Sequence, residues 1–223
     1  MPPTVSVILA EVPLADPVGA WPLVGLDLVG VFVFALSGGL AAVRKRFDIV
    51  GVLVVAFAAG LGGGILRDVL IGAVPPVGVS DWRLLTAALA AGVLTFVFHP
   101  RLGRIGRIVT VLDGLGLGLF AVAGTLKALQ LGIEPLPAVV VGLLTAVGGG
   151  IIRDLLTGEV PRVLTDQELY AIPALVGAAF YAAAYDSGLT QEAVAWGCVA
   201  LISGVRLLAV RRRWRAPVPR SGP

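Results

Sequence analysis

Gly62-Gly63-Gly64-Ile65-Leu66-Arg67-Asp68 recurs 86 residues later as Gly148-Gly149-Gly150-Ile151-Ile152-Arg153-Asp154. Working outward at that offset, without a gap, Asp27 meets Asp113, Gly30 meets Gly116, Phe34-Ala35 meets Phe120-Ala121, and Gly38 meets Gly124. Downstream, Gly72 meets Gly158 and Val74-Pro75 meets Val160-Pro161, so that 20 of the 51 aligned positions from Asp27 to Val77 are identical. An apolar composition produces chance Leu and Val matches. It does not produce coincident glycine triplets, Arg-Asp pairs and prolines at one offset. The chain therefore carries an internal duplication.

The solvent of this duplicated chain is a bilayer. Of the 223 residues 57% are apolar and 30 more are Gly, while 14% are charged; a soluble domain has about 45–50% apolar residues with Gly included and about 25% charged. Seven apolar stretches approach or reach the length that spans about 30 Å of hydrocarbon: 23–43, 50–72, 83–99, 108–129, 135–157, 169–185 and 192–210. The opening stretch has no basic n-region and carries Glu11 and Asp16, which argues against a cleaved signal peptide.

Lys and Arg set the expected orientation. Arg44, Lys45 and Arg46 fall in the first connection, Arg101, Arg104 and Arg107 in the third, Arg162 in the fifth, and Arg211, Arg212, Arg213, Arg215 and Arg220 in the tail. The alternate side holds only Arg83. This predicts an N-terminus outside and a C-terminus in the cytoplasm of a cell (inner) membrane, multi-pass. The expected fold is an all-α integral membrane protein of seven transmembrane helices, two inverted three-helix repeats plus a seventh helix. Residues 1–22 form an extracellular N-terminal segment, 23–99 the first repeat, 108–185 the second, 192–210 the seventh helix and 211–223 a basic cytoplasmic tail. Three spans per copy is an odd number, so the second copy enters from the opposite face. Folds built this way carry solute or ion pathways at the repeat interface, often between broken helices.

The triplets Gly62, Gly63, Gly64 and Gly148, Gly149, Gly150 sit near the middle of segments two and five. Each Gly costs about 1 kcal/mol relative to Ala in a helix interior, so three in succession predict a kink. Its released carbonyls need protein or water as partners. The alternative is close helix packing over small residues; two triplets at equivalent positions, each followed by Arg-Asp, favour the kink. Arg67, Asp68, Arg153 and Asp154 lie about one turn beyond. Charges at mid-bilayer cost roughly 2.5–3.5 kcal/mol each on insertion scales. Neighbours at i and i+1 do not face one another on a helix, so partners are expected on other segments, with Asp27 and Asp113 the natural choices. These six charges either set the field inside a pore or form a static ion-pair network that pins the bundle. Lys127 has no counterpart, Ala41 standing in its place. Fourteen residues beyond Asp113, it lies on the same helix face about 21 Å away. It is a candidate gating or voltage-sensing charge, against the alternative of a snorkelling interfacial anchor.

Other chemistries are poorly served. The single Cys198 excludes an internal disulfide framework, and the single His99 leaves no cluster for zinc or a hydrolase triad. Gly60-Leu61-Gly62-Gly63-Gly64 resembles a nucleotide fingerprint only superficially, because that motif needs a preceding strand. No enzyme is expected, and no cofactor beyond a permeant ion. Six of the 17 basic residues fall in the last 18 positions, which suits anionic lipid; no groove-reading motif accompanies them, so nucleic acid is not an expected partner.

The doubled Gly-Gly-Gly-x-x-Arg-Asp motif, Gly62 to Asp68 and Gly148 to Asp154, resembles that of the trimeric intracellular cation (TRIC) channel family in its prokaryotic branch. The stretch Asp113-Gly-Leu-Gly-Leu-Gly-Leu-Phe-Ala-Val-Ala-Gly-Thr-Leu-Lys127 resembles that family's fourth helix. The resemblance covers residues 23–210. It implies a homotrimer with a monovalent-cation pore, K⁺ foremost, inside each protomer, and kinked segments two and five at the pore's centre. Lys127 matches the helix-four basic residue tied to voltage dependence in animal members. Those members also bind phosphoinositides; here the cytoplasmic arginines are expected to hold another anionic lipid. Related bacterial sequences carry a glycine-transport label, so the rival expectation is a secondary transporter of a small solute such as glycine. Near-exact repeat symmetry favours the channel. The spans are also expected to present no Asn, Gln, Tyr or Trp suited to recognising an organic solute.

Overall fold

A computed structural model describes residues 17–99, 105–165, 169–187 and 191–214. Every regular element among them is helical: α1 (Pro17–Arg44), α2 (Ile49–Leu70), α3 (Val77–Ser80), α4 (Trp82–Phe98), α5 (Ile105–Gln130), α6 (Pro135–Leu156), α7 (Arg162–Thr165), α8 (Ala171–Ala184) and α9 (Gln191–Arg212). The expected outer segment through residue 16, Arg101 and Arg104 of the third connection, and Arg215 and Arg220 of the tail lie outside the described residues.

Five helices, α1, α2, α5, α6 and α9, are long and apolar enough to cross a membrane. The helices in the third and sixth expected spans are shorter, 17 residues in α4 and 14 in α8. The expected seven spans therefore resolve into five clear spans and two shorter apolar helices. Helix α1 starts at Pro17, inside the segment expected outside the membrane; proline's fixed φ suits a first helical turn. Helix α9 runs two residues past the expected 210.

Local chemistry sets the helix ends. Asp48 caps α2 by accepting from the Gly51 N–H at 2.8 Å, and Pro135 opens α6 where a missing N–H costs nothing. Both helices end in the same way. Gly72 (φ +72°) and Gly158 (φ +68°) take the left-handed conformation, and the next amides, of Ala73 and Glu159, reach back to the Asp68 and Asp154 carbonyls, each at 2.8 Å. This is the glycine-terminated helix end in which a 6→1 bond satisfies an orphan carbonyl.

Burial is inverted relative to a soluble protein. Arg67, Arg153 and Arg206 are among the largest fully buried side chains, while Val54, Leu136, Leu164 and Phe180 are exposed. An apolar exterior around buried charge is what a hydrocarbon solvent requires. Helix α1 packs on α2, α4 and α5; α5 packs on α6, α8, α9 and α1; and α2 meets α6. The set α1, α2, α4 thus recurs as α5, α6, α8, with α9 laid against α5 and α8. Phe34, Leu26, Leu117, Phe120 and Leu126 fill the shared centre.

Candidate functional site

The glycine-terminated ends of α2 and α6 fold the following loops back onto the aspartates that precede them. The Val77 N–H donates to Asp68 Oδ2 and the Arg162 N–H to Asp154 Oδ2, both at 2.9 Å. Each carboxylate is thereby fixed by backbone while its other oxygen faces the bundle. This explains the order Arg-Asp-x-x-x-Gly: the Gly turns the chain and the turn orients the Asp.

In the first site Arg67 grips Asp27 of α1 with two bonds, Nη1 to Oδ1 at 2.7 Å and Nη2 to Oδ2 at 2.9 Å. Its Nε donates to Asp68 Oδ1 at 2.8 Å. The same Asp68 oxygen accepts from Lys127 Nζ at 2.7 Å. Two acids meet two cations there, and only the lysine retains any notable exposure, 12% of its side chain.

The second site repeats the theme with different details. Arg153 Nη1 donates to Asp113 Oδ1 at 2.5 Å and to Ser37 Oγ at 2.8 Å, and Nε to Asp154 Oδ1 at 2.8 Å. Nη2 lies 2.8 Å from Asp154 Oδ1. The grip on Asp113 is through one oxygen only, and Asp113 Oδ2 is buried without a hydrogen-bond partner. Tyr170, at the start of α8, brings its hydroxyl to the same cluster: a Cβ on Gly150 would lie 2.9 Å from that hydroxyl and 3.4 Å from Asp113 Oδ1. Behind its ring stands Arg206 of α9, guanidinium carbon 4.7 Å from the centroid and Nη1 3.1 Å from the Leu169 carbonyl.

Between the sites the Phe34 and Phe120 rings stack, centroids 5.4 Å apart and planes 13° from parallel. The contacts around them are reciprocal. A Cβ on Gly30 would lie 2.9 Å from Phe120, and one on Gly116 2.6 Å from Phe34. A Cβ on Gly63 would lie 2.4 Å from the Thr145 carbonyl oxygen, and one on Gly149 2.3 Å from that of Ala59.

Three expectations are corrected by this geometry. The helical runs of α2 and α6 continue without interruption through both triplets, so no break releases carbonyls there; the middle glycines instead let the two backbones cross in contact, where a side chain would strike a carbonyl. The neighbours Arg67-Asp68 and Arg153-Asp154 do bond each other, because a guanidinium with its Nη edge on the partner helix turns its Nε back towards the adjacent carboxylate. Tyrosine is present in the polar cluster, at Tyr170, and α8 and α9 also carry Tyr181 and Trp196. Lys127 does not run out to an interface as a snorkelling anchor would; it turns inward onto Asp68. The partners proposed for the two arginines, Asp27 and Asp113, are the ones they meet. Ser37, Tyr170 and Arg206 were missed. Arg206 had a signal, a lone cation inside the seventh span; Ser37 had none.

Outside the spans, Glu159 joins Arg44 to the loop after α6 and accepts from Lys45 at 3.1 Å. Partial burial pushes this carboxyl up, but the bond from Lys45 and the bond and charge of Arg44 outweigh it, leaving Glu159 below the usual carboxylate range.

A family model described as glycine transporter matches the chain twice, over residues 24–100 and 110–186. The two matches repeat the 86-residue offset of the duplication. A UPF0126 membrane protein of Deinococcus radiodurans is 46% identical over 154 residues, 69% of this chain and 72% of that one. The UPF0126 inner membrane protein YadS of Escherichia coli is 38% identical over 197 residues, 87% of this chain and 93% of its own. Among solved structures, the TRIC trimeric intracellular cation channel orthologue from Rhodobacter sphaeroides is 36% identical with a TM-score of 0.82, over 86% of this chain and 98% of that one. A second, described under the structural basis for conductance through TRIC cation channels, is 35% identical with a TM-score of 0.78, over 89% and 97%.

Proposed function

The chain belongs to the family described as glycine transporter and shares sequence and fold with the TRIC channels; from that premise we propose that it is a cation channel, conducting K⁺ and with it Na⁺ through a path inside each protomer of a homotrimer. The observation that carries this reading is the pair of equivalent, fully buried Arg–Asp clusters on either side of the Phe34–Phe120 stack. Buried charge in a bilayer protein is expensive and marks ion or solute pathways. Asp27, Arg67, Asp68 and Lys127 form one vestibule wall and Asp113, Arg153 and Asp154 the other. Gly62, Gly63, Gly64, Gly148, Gly149 and Gly150 form the crossing of α2 and α6 between them. Both Phe rings are fully buried, so conduction along a path past them requires the α2–α6 crossing to shift.

Seven spans, with α4 and α8 crossing as shorter helices, and an inverted relation between the halves complete the proposal. Reciprocal contacts such as Phe34 with Gly116 and Phe120 with Gly30 are what a two-fold axis in the membrane plane would generate. On this topology the N-terminus is outside, the C-terminus is cytoplasmic, and the second site faces the cytoplasm. The arginines of the last turn of α9 and the tail beyond it would then meet anionic lipid headgroups.

A second reading, transport of a small solute such as glycine, is favoured by the family description and by the Tyr170 hydroxyl in the second site. Recording the purified protein in planar bilayers separates the two. Unitary currents in K⁺ without any organic solute support the channel; silence in the bilayer with saturable glycine uptake into liposomes supports the transporter.

A further inference from the structure

Away from the two Arg–Asp sites, the start of α5 and the end of α9 enclose a cleft of about 760 Å³. Three exposed arginines line it, Arg107 from α5 and Arg211 and Arg213 from the end of α9. Val111 and Leu207 give it an apolar wall, and none of the described residues that line it is acidic. Two more guanidiniums border it: Arg162 Nη1 lies 3.4 Å from Thr110 Oγ1, and a Cβ on Gly106 would lie 3.6 Å from Arg44 Nη1. Arg44 is taken up by Glu159. No described residue accepts a hydrogen bond from the guanidinium of Arg107, Arg211 or Arg213. Arg213 takes the left-handed conformation (φ +54°) in which Gly is usual. The Trp214 amide closes the helix end on the Ala209 carbonyl, and the Trp214 carbonyl accepts from the Leu169 amide at 3.1 Å. The end of α9 is thereby tied to the start of α8, beside an exposed Trp of the kind that sits at headgroup depth. The first repeat has no such feature. At the 86-residue offset Arg107 and Thr110 correspond to Trp21 and Val24, and α9 stands outside the duplication, so the repeat's own packing does not call for these arginines.

We propose that this cleft is a built site for one anionic phospholipid, its headgroup phosphate held by Arg107, Arg211 and Arg213 and its acyl chains running along Val111 and Leu207. The inference gives a defined seat to the lipid contact of α9 offered above, and rests on that membrane-spanning topology rather than on conduction. Charge complementarity selects the occupant: guanidiniums make strong, paired hydrogen bonds to phosphate oxygens, and a cluster of three repels a cation. The apolar wall and the neighbouring Trp214 favour a lipid over a soluble phosphate. A diffuse polybasic attraction would weigh every arginine near the surface alike. A built site separates Arg107, which stands on another helix than the tail, from Arg212, which lies in the last turn of α9 and does not line the cleft.

The test measures lipid binding apart from conduction. The full chain, purified in dodecylmaltoside, is titrated with dioleoylphosphatidylglycerol, dioleoylphosphatidylcholine or glycerol 3-phosphate at constant ionic strength, and its thermal unfolding is followed. Phosphatidylglycerol is expected to stabilise it saturably, and less so at high salt; the other two are expected to do little. Arg107→Gln and Arg211→Gln should each weaken the apparent affinity about five-fold, and together about ten-fold or more, while Arg212→Gln leaves it within about two-fold. Native mass spectrometry of the wild-type protein, which needs no variant to fold, should retain one phosphatidylglycerol per chain. No preference for phosphatidylglycerol in either measurement, as neutralisation of the cleft by Asp166 or Glu168 would produce, overturns the proposal. Equal losses from the Arg107, Arg211 and Arg212 replacements overturn it too and leave only the diffuse lipid contact. Equal stabilisation by glycerol 3-phosphate makes the occupant a soluble phosphate and overturns the lipid. Bilayer currents from the same preparation separate the claims: currents without lipid binding remove the site and keep the channel, and lipid binding without currents does the reverse.

Discussion

Lys127 Nζ sits 2.7 Å from Asp68 Oδ1, joining the last turn of α5 to the last turn of α2 across the interior. The two residues come from different copies of the repeat, and nothing equivalent joins Ala41 to Asp154. Removing the ammonium leaves Asp68 with Arg67 and the Val77 amide, and shifts the site by one negative charge. Lys127→Ala is expected to raise cation current and flatten any voltage dependence, while costing about 1.5–3 kcal/mol for a lost charged hydrogen bond. Lys127→Arg is expected to preserve much of both. Single-channel recording at both polarities is the measurement; unaltered current and voltage dependence in Lys127→Ala would return the residue to a purely structural role.

The glycine triplets make a prediction that depends on position within the triplet. Gly63→Ala and Gly149→Ala push a Cβ to 2.4 and 2.3 Å from a backbone carbonyl of the facing helix. Neither backbone can swing away as a side chain does, so α2 and α6 must separate, an overpacking cost of about 1–3 kcal/mol or more. Gly64→Ala meets nothing nearer than Arg67 Nη2 at 4.0 Å and gains about 1 kcal/mol of helix propensity. Thermal unfolding should therefore fall for the two middle positions and hold or rise for Gly64. Equal losses at Gly63 and Gly64 would contradict the crossing.

The difference between these glycines was invisible in the sequence, where three identical letters carried one meaning. The duplication, the helical class and the partnership of Arg67 with Asp27 and Arg153 with Asp113 were legible, because buried charges in hydrocarbon must pair and the 86-residue offset left few choices. The crossing of α2 over α6 was not, since propensity speaks of one helix while a contact between two backbones depends on both. Tyr170 and Ser37 also escaped. Their counterparts at Leu84 and Ala123 are apolar, and symmetry, which found the charges, hid the places where the copies diverge. Arg206 was legible and overlooked, counted with the tail although it lies within a span.

The Glu159 bridge to Arg44 and Lys45 gives a pH-dependent contribution with a defined sign. The carboxyl is held below its ordinary value of 4.5, so the folded state favours the charged form. That stability is complete above the ordinary value and is lost as pH falls through the lower folded value. The side chains are 28–40% exposed, and solvent screening limits such pairs to about 1 kcal/mol or less. Glu159→Gln should remove that part of the acid-side loss of thermal stability and leave the neutral-pH midpoint slightly lower. An acid limb identical to wild type would show that the bridge does not contribute.

The paired arginines offer the strongest contrast, because equivalent residues are held differently. Breaking a buried ion pair by removing one partner costs about 3–5 kcal/mol, since it strands the other charge. Arg67→Ala strands Asp27, and Arg153→Ala strands Asp113. Neutralising the acid as well should recover much of the loss in each case, so double-mutant cycles should show strong coupling of 67 with 27 and of 153 with 113, and weak coupling for the crossed combinations. Lysine replacements then separate the sites. A lysine cannot reproduce a bidentate fork, and Arg67 uses Nη1 and Nη2 on Asp27 while Nε holds Asp68. Arg153 gives Asp113 a single bond, which an ammonium can replace. Arg67→Lys should accordingly lower the unfolding midpoint of the protein more than Arg153→Lys. Strict additivity in all four cycles would refute the pairing, and equal losses for the two lysine variants would refute the difference in grip.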